Sequence, residues 1–250
     1  MTRVLVTNDD GIDAPGVLRL AVAAREAGFA VTLAAPAFQS SGSSASIMAT
    51  EQDGHIRVEH RKFDELSGVP AFAVHGGPGL IALVAAYGAF GAPPDIVLSG
   101  VNHGANVGRA ILHSGTVGAA LTGGLNGAWG IAVSLDVGMA PQEFFWDAAA
   151  RVTLELLPEL QQHPKGTVIN VNVPNQPVPR GVCETTLAPF GIVHTTLSER
   201  DEHRIRLAVE ELPVTPVPGS DAARLSEGWA TVTGIVPVSG HQLGFVARGG

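Results

Sequence analysis

The sequence predicts an α/β fold built on a doubly wound, mainly parallel β-sheet. Two observations carry that expectation. Apolar runs of strand length alternate with segments of helical length along the first two-thirds of the chain, and those runs are continuously apolar rather than alternating. Continuous apolar strands suit a parallel sheet covered on both faces. The strand–helix–strand rhythm is that of crossover units.

In chain order, the strands are expected at Arg3–Thr7, Ala30–Ala35, Ala71–Val74, Asp95–Ser99, Gly130–Leu135 and Thr167–Val173. Helices are expected at Pro15–Ala27, Leu80–Phe90, Thr116–Asn126 and Gln142–Gln162. Pro15 stands where a first-turn proline is tolerated, and Gly28 where a helix is commonly closed. After Pro174 the texture changes. Prolines cluster, and His194–Leu212 reads as a polar hairpin with a charged tip, either a solvated surface feature or an arm that packs on a second subunit. The expectation is one domain over 1–250, with a core over 1–175 and a C-terminal segment over 176–250 that carries the hairpin near 194–212.

Composition narrows the function. Of 250 residues, 45% are hydrophobic and 15% charged, which is a globular composition. The net charge of -8 argues against a grip on a DNA or RNA backbone. A small phosphorylated ligand stays compatible, because a metal or a helix N-terminus supplies local positive potential. Cys183 is the single cysteine, which excludes an intrachain disulfide and a multi-cysteine zinc site. The N-terminus reads straight into a strand without a secretory pattern, so a cytoplasmic location is expected. No Asp, Glu, Lys or Arg occurs from Leu66 to Pro94 or from Ala110 to Leu135. Gly76-Gly77-Pro78-Gly79 and Pro93-Pro94 interrupt the first stretch, and Ser114-Gly115 and Gly123-Gly124 the second, so each is expected to be buried core and not the roughly 20 unbroken apolar residues of a membrane span.

Ligands of open α/β sheets bind at the carboxyl ends of the strands. The residues directly after each strand are therefore informative. After the first comes Asn8-Asp9-Asp10-Gly11; after the second, a Ser40-Ser41-Gly42-Ser43-Ser44 run; after the fourth, Gly100-Val101-Asn102-His103-Gly104-Ala105-Asn106-Val107-Gly108. Right-handed crossovers bring such ends to one edge of the sheet. Oxygen donors without His or Cys partners suit a hard cation such as Mg²⁺, Mn²⁺ or Ca²⁺. Adjacent carboxylates repel, and a cation beside Asp9 and Asp10 relieves that cost. One of the pair could instead cap the following helix. Ser114-Gly115-Thr116 opens an Ala/Gly-rich helix whose N-terminus would serve a phosphate; the same serine equally suits an N-cap, with the glycines serving tight packing.

Competing motifs fail on spacing. With Gly11 at the sixth position of a calcium EF-hand loop, the first and twelfth positions would be Val6 and Val17. The chain has no P-loop, no dinucleotide-binding glycine fingerprint after a strand and no nucleophile elbow. The nine histidines form no metal pair; His103 and His113 flank the candidate phosphate loop, and His75, His194 and His241 read as structural. Arg109 reads either as a phosphate contact or as solvated.

These motifs together resemble the SurE (survival protein E) family of metal-dependent 5'/3'-nucleotidases. The resemblance rests on LVTNDDGIDAPG, AP followed by SSGSS, PDIVLSGVNHGANVG, HSGTVGAA, AVSL and INVNVP, and covers essentially the whole chain. It implies a Rossmann-like core, an exchanged C-terminal hairpin, a homodimer or homotetramer, and hydrolysis of nucleoside monophosphates with one divalent cation, Mg or Mn before Ca. Carried over position by position, the metal ligands fall on Asp9, Asp10, Ser41 and Asn102, with Asp9 and Asp10 also catalytic. Asn106, Ser114, Gly115 and Thr116 fall on the phosphate-facing loop. Ser40 stands where the family commonly has an arginine, and His113 where it has a tyrosine. A non-catalytic metal and nucleotide binding module, or a phosphatase for another small metabolite, would use the same crevice.

Overall fold

A computed structural model describes residues 1–49, 51–138, 141–189, 193–200, 205–211, 217–236 and 238–240. In chain order the elements are β1 (Arg3–Thr7), α1 (Pro15–Glu26), β2 (Ala30–Pro36), β3 (Glu51–Gln52), β4 (His55–Ile56), β5 (Val58–Arg61), β6 (Ala71–Val74), α2 (Pro78–Ala86), β7 (Ile96–His103), α3 (Gly115–Leu125), β8 (Trp129–Asp136), α4 (Trp146–Leu160), β9 (Val168–Pro174), β10 (Val182–Glu184), β11 (Val193–Arg200), β12 (Ile205–Glu211), α5 (Asp221–Ser226) and β13 (Ala230–Ile235).

Among the described residues the main sheet has the order β10-β13-β9-β8-β7-β1-β2-β6-β5. The inner run from β9 to β6 is parallel; β5 and β13 add antiparallel pairings on either side. The expected α/β architecture is thus present. β1 lies at its centre, with Val4 opposite Val31 on one side and Ile96 on the other. From β1 the chain winds outward through β2 and β6, then returns to start the other half at β7. The order reverses between β1 and β7, and a crevice opens there at the carboxyl ends.

Alternate strand residues face opposite layers. Val4 and Val6 pack with Val17, Leu20 and Ala24 of α1 and with Leu157 of α4. Leu5 and Val97 pack with Ile81 and Ala82 of α2 and Ala119 of α3. This second layer explains the two charge-free stretches. In α3 every residue but Leu121 and Leu125 is buried. A methyl group at Gly123 would lie 2.5 Å from a Val97 carbon, and one at Gly118 would lie 2.3 Å from the Ser44 carbonyl. No described helix is long and apolar enough to cross a membrane.

Boundaries shift where local chemistry intervenes. The expected fourth helix starts only at Trp146, because Phe145 is held non-helical, at φ -93° and ψ 57°, with its N–H on the Asn175 side chain. α2 begins at Pro78, behind an extended Gly77, and stops at Ala86; Gly88, at φ +88°, turns the chain before Phe90. The hairpin expected at His194–Leu212 corresponds to β11 and β12, paired antiparallel with an irregularity between Leu197 and Glu199. Its tip at 201–204, Leu212 and His241 lie outside the described residues.

Candidate active site

The loop after β1 is shaped by its own side chains. Asn8 is fully buried; its Oδ1 accepts from the Gly11 N–H at 3.2 Å and its Nδ2 donates to the Gly11 carbonyl at 3.0 Å. This local clamp turns the chain sharply, with Gly11 at φ +106°, a region that favours glycine. The turn leaves Asp9 and Asp10 at the mouth of the β1/β7 crevice.

A cavity of about 390 Å³ occupies that crevice, with Asp9, Asp10, Ser41, Asn102, Asn106 and Ser114 on its walls, joined by Gln39, His103 and His113. Six of the eight site residues named from the sequence therefore meet in one space. Gln39 Nε2 donates to Ser41 Oγ at 3.0 Å and lies 3.5 Å from Asp10 Oδ1, which ties the second loop to the first. The Ser40 N–H donates to the Asp9 carbonyl at 2.8 Å, a backbone tie between the same loops. The His103 N–H donates to Asp10 Oδ2 at 3.0 Å. Asn102 Nδ2 donates to the Gly104 carbonyl at 2.6 Å. A carbonyl only accepts, so that bond fixes the amide and distinguishes Oδ1 as its acceptor end.

Gly115 and Thr116 sit behind Asp9 rather than on the cavity wall. The Thr116 hydroxyl donates to Asp9 Oδ1. A methyl group at Gly115 would lie 2.9 Å from Asp9 Oδ2, so only glycine lets the carboxylate approach the first turn of α3. The helix N-terminus expected to meet a phosphate thus meets the Asp9 carboxylate. Ser114 lines the cavity, and its Oγ accepts from the Val117 N–H at 3.1 Å as an N-cap.

Asp9 is 4% exposed. Burial pushes its carboxyl up from its ordinary value, the Thr116 hydroxyl opposes that shift, and the neighbouring charge of Asp10 adds to it. Burial likewise pushes Asp10 up, against the pull of the His103 N–H. Neither aspartate forms an ion pair among the described residues, where no three His, Cys, Asp or Glu converge either. The donor set is two carboxylates with neutral serine and asparagine oxygens. That set fits a hard divalent cation and would offset the repulsion of the pair.

Three supporting groups were not named from the sequence: Asp221, Gln39 and the β9 asparagines that hold Asn106. Asn106 is clamped by the neighbouring strand end: its N–H donates to Asn172 Oδ1, its carbonyl accepts from Asn170 Nδ2 and Asn172 Nδ2, each at 2.8 Å, and its Nδ2 donates to Ser134 Oγ at 2.9 Å. Asn170 and Asn172 are fully buried two residues apart on β9. Polar residues alternating inside an otherwise apolar strand were the available sign. Asp221, buried at the start of α5, accepts from the N–H groups of Gly108, Ala188 and Ala222, each at 2.8 Å. It anchors the loop after β7 from 113 residues away in sequence, a distance that local patterning does not bridge. Gln39 is the third. Arg109 is exposed and lies outside the cavity wall, with its N–H on the Ala188 carbonyl.

The family profile described as "Survival protein SurE" matches residues 4–200. The chain belongs to the SurE family. The 5'-nucleotidase SurE of Actinobacillus pleuropneumoniae serotype 5b (strain L20) is 32% identical over 243 residues, covering 93% of this chain and 92% of that protein. The 5'-nucleotidase SurE of Xanthomonas euvesicatoria pv. vesicatoria (strain 85-10) is 39% identical over 179 residues, covering 69% of this chain and 64% of that protein. Among solved structures, the SurE protein from Aquifex aeolicus superposes with a TM-score of 0.75 at 27% identity, covering 94% of each chain. The match to a SurE structure over nearly the full length agrees with the fold described above.

Proposed function

We propose that this SurE-family chain is a nucleotidase that hydrolyses nucleoside 5'-monophosphates to nucleoside and phosphate. The observation that supports the reading most is the meeting of Asp9, Asp10, Ser41 and Asn102 at the sheet's switch point, in a chain whose relatives carry the name 5'-nucleotidase. These four residues would hold one divalent cation, Mg²⁺ or Mn²⁺. When bound, that ion supplies charge neutralisation of the phosphoryl oxygens and a water of lowered pKa.

The chain's own contribution is placement. Asp9, fixed by Thr116 from behind, orients the attacking water and accepts its proton as the water oxygen bonds to phosphorus. The bond from phosphorus to the ester oxygen breaks in the same displacement, and the leaving ribose oxygen takes a proton from solvent, which releases the nucleoside. Asn106 keeps one amide proton for the phosphoryl group, since Ser134 takes the other. Such a fixed donor, aimed before the substrate arrives, costs no reorganisation at the moment of reaction.

Free-phosphate assay on a panel of nucleoside monophosphates, with Mn²⁺ or Mg²⁺ and with a chelator, tests the reading. Metal-dependent release is the expected result. Tight nucleotide binding with no release would point instead to a binding module.

We also propose a homodimer or homotetramer joined through the β11–β12 hairpin. Support comes from its isolation: among the described residues these two strands pair only with each other, and a lone hairpin is marginally stable in water. Removing 194–212 is expected to give monomers on a sizing column; an unchanged elution volume would refute it.

A further inference from the structure

The crevice has one aromatic side. His103 lines it, and the His103 ring packs against Phe144 with centroids 5.4 Å apart and against Trp146 at 6.2 Å. Phe144 and Trp146 are stacked, with centroids 5.4 Å apart and planes 10° from parallel. The rings come from two separate stretches, the end of β7 and the entry to α4. Only 5% of the chain is Phe, Trp or Tyr, so Phe144 and Trp146 stacked beside a histidine that lines the cavity are a local concentration.

The cluster has a rigid footing. A methyl group at Gly16 would meet the Trp146 ring at 3.3 Å, so the indole packs on the start of α1, a few residues from Asp10. The backbone on both sides of Phe144 hangs from Asn175: the Phe145 N–H donates to its Oδ1 at 3.0 Å, and its Nδ2 donates to the Glu143 carbonyl at 2.8 Å. Yet Phe144 itself stays 38% exposed. A large ring left partly in water, beside a ring of the cavity wall and on fixed backbone, is what a flat ligand needs. The same asparagine clamp explains why the helix expected from Gln142 is delayed to Trp146.

We propose that His103 and Phe144, backed by Trp146, form the shelf on which the nucleobase of the substrate stacks. This rests on the nucleotidase reading of the crevice and adds to it the place where nucleotides are distinguished from base-free phosphate esters. Every base has a π-face, so a stacking shelf accepts purines and pyrimidines alike and sets broad tolerance rather than a single base.

Steady-state kinetics of the full-length protein with Mn²⁺ test the shelf, using a nucleoside 5'-monophosphate and ribose 5-phosphate side by side. Phe144→Ala is expected to raise KM for the nucleotide about tenfold, the loss that removing one stacking partner brings. Ribose 5-phosphate kinetics stay at the wild-type level, and Phe144→Trp restores the nucleotide KM. Phe144→Leu keeps bulk without a π-face, guards against a folding defect in the alanine variant, and is expected to lose nucleotide affinity as well. An unmoved nucleotide KM, or equal losses on both substrates, overturns the shelf. Should wild-type protein release phosphate from neither ester, the nucleotidase reading fails separately. Calorimetric binding of the nucleoside monophosphate then reads the shelf directly: weaker binding by Phe144→Ala supports it, and equal binding sinks it.

Discussion

The two ends of β1 and β7 treat carboxylates in opposite ways. Where these strands begin, Asp95 receives the Arg3 side chain at 3.0 and 2.9 Å, the Arg3 N–H at 3.0 Å and the Lys165 ammonium at 3.3 Å. The arginine holds Asp95 well below the usual carboxylate range. Where the strands end, Asp9 and Asp10 form no ion pair among the described residues, and burial pushes both upward. A third carboxylate, Asp221, shows an intermediate solution, with its charge buried but received by three backbone N–H groups. Compensated carboxylates hold this fold together. The Asp9–Asp10 pair has no cationic partner among the described residues and stands where a cation and a phosphoryl group would meet it.

The largest expected effect comes from breaking the uncompensated end. Asp9→Asn keeps the shape and the Thr116 contact but removes the charge and the proton acceptor. Turnover is expected to fall by about a thousandfold, the scale of losing a central group in a site of this kind. Circular dichroism is expected to remain that of wild type. Activity within a few-fold of wild type would remove Asp9 from the chemistry.

Asp221→Ala tests the intermediate case. Three N–H groups lose a buried partner, and the loop after β7 loses its anchor. A loss of about 3 kcal/mol in urea denaturation is expected, from orphaned buried donors. Thr116→Val is gentler. It leaves the fold and the Asp9 charge in place but removes the hydroxyl behind it. About a tenfold fall in kcat is expected, with KM little changed, as for a residue that positions a catalytic group. A change confined to KM would instead place Thr116 on the substrate.

How much of this was legible in the sequence depends on the range of the interactions. The six inner strands and four main helices announce themselves through local apolar runs, and the oxygen-rich strand ends through their position after those runs. Position alone thus singles out Asp9, Asp10, the Ser40–Ser44 run and Asn102, while the choice of Ser41 within that run comes from the resemblance to the SurE family. Thr116 was expected to face phosphate, because a helix N-terminus attracts anions; which anion reaches it first depends on how closely β1 and α3 approach, and Gly115 sets that distance. Asp221 and the β9 asparagines act across 64 to 113 residues, and β13 joins the sheet beside β9 from the far end of the chain. Pairings of that kind are decided by tertiary packing, to which local periodicity is blind.

The smallest effect sharpens the comparison by its sign. Asp95 has a carboxyl held below its ordinary value of 3.8, so its contribution to stability is full above that value and is lost as pH falls below it. Asp95→Asn is expected to lower Tm by about 2–4 °C at neutral pH, the size suited to a largely exposed pair in a chain this long. That difference shrinks in acid below the ordinary value. The crevice carboxyl of Asp9 is raised instead, so in the presence of a chelator its ionisation opposes folding: the cost is absent below 3.8 and grows as pH climbs through the folded value. Asp9→Asn is therefore expected to raise Tm of the metal-free protein at neutral pH, with the gain vanishing in acid. Added Mn²⁺ is expected to raise the wild-type Tm and to raise that of Asp9→Asn much less. Thermal melts of both variants across pH give curves that diverge from wild type in opposite directions as pH rises. Parallel curves would mean that the two ends of the strands do not differ in the way their carboxylates are compensated.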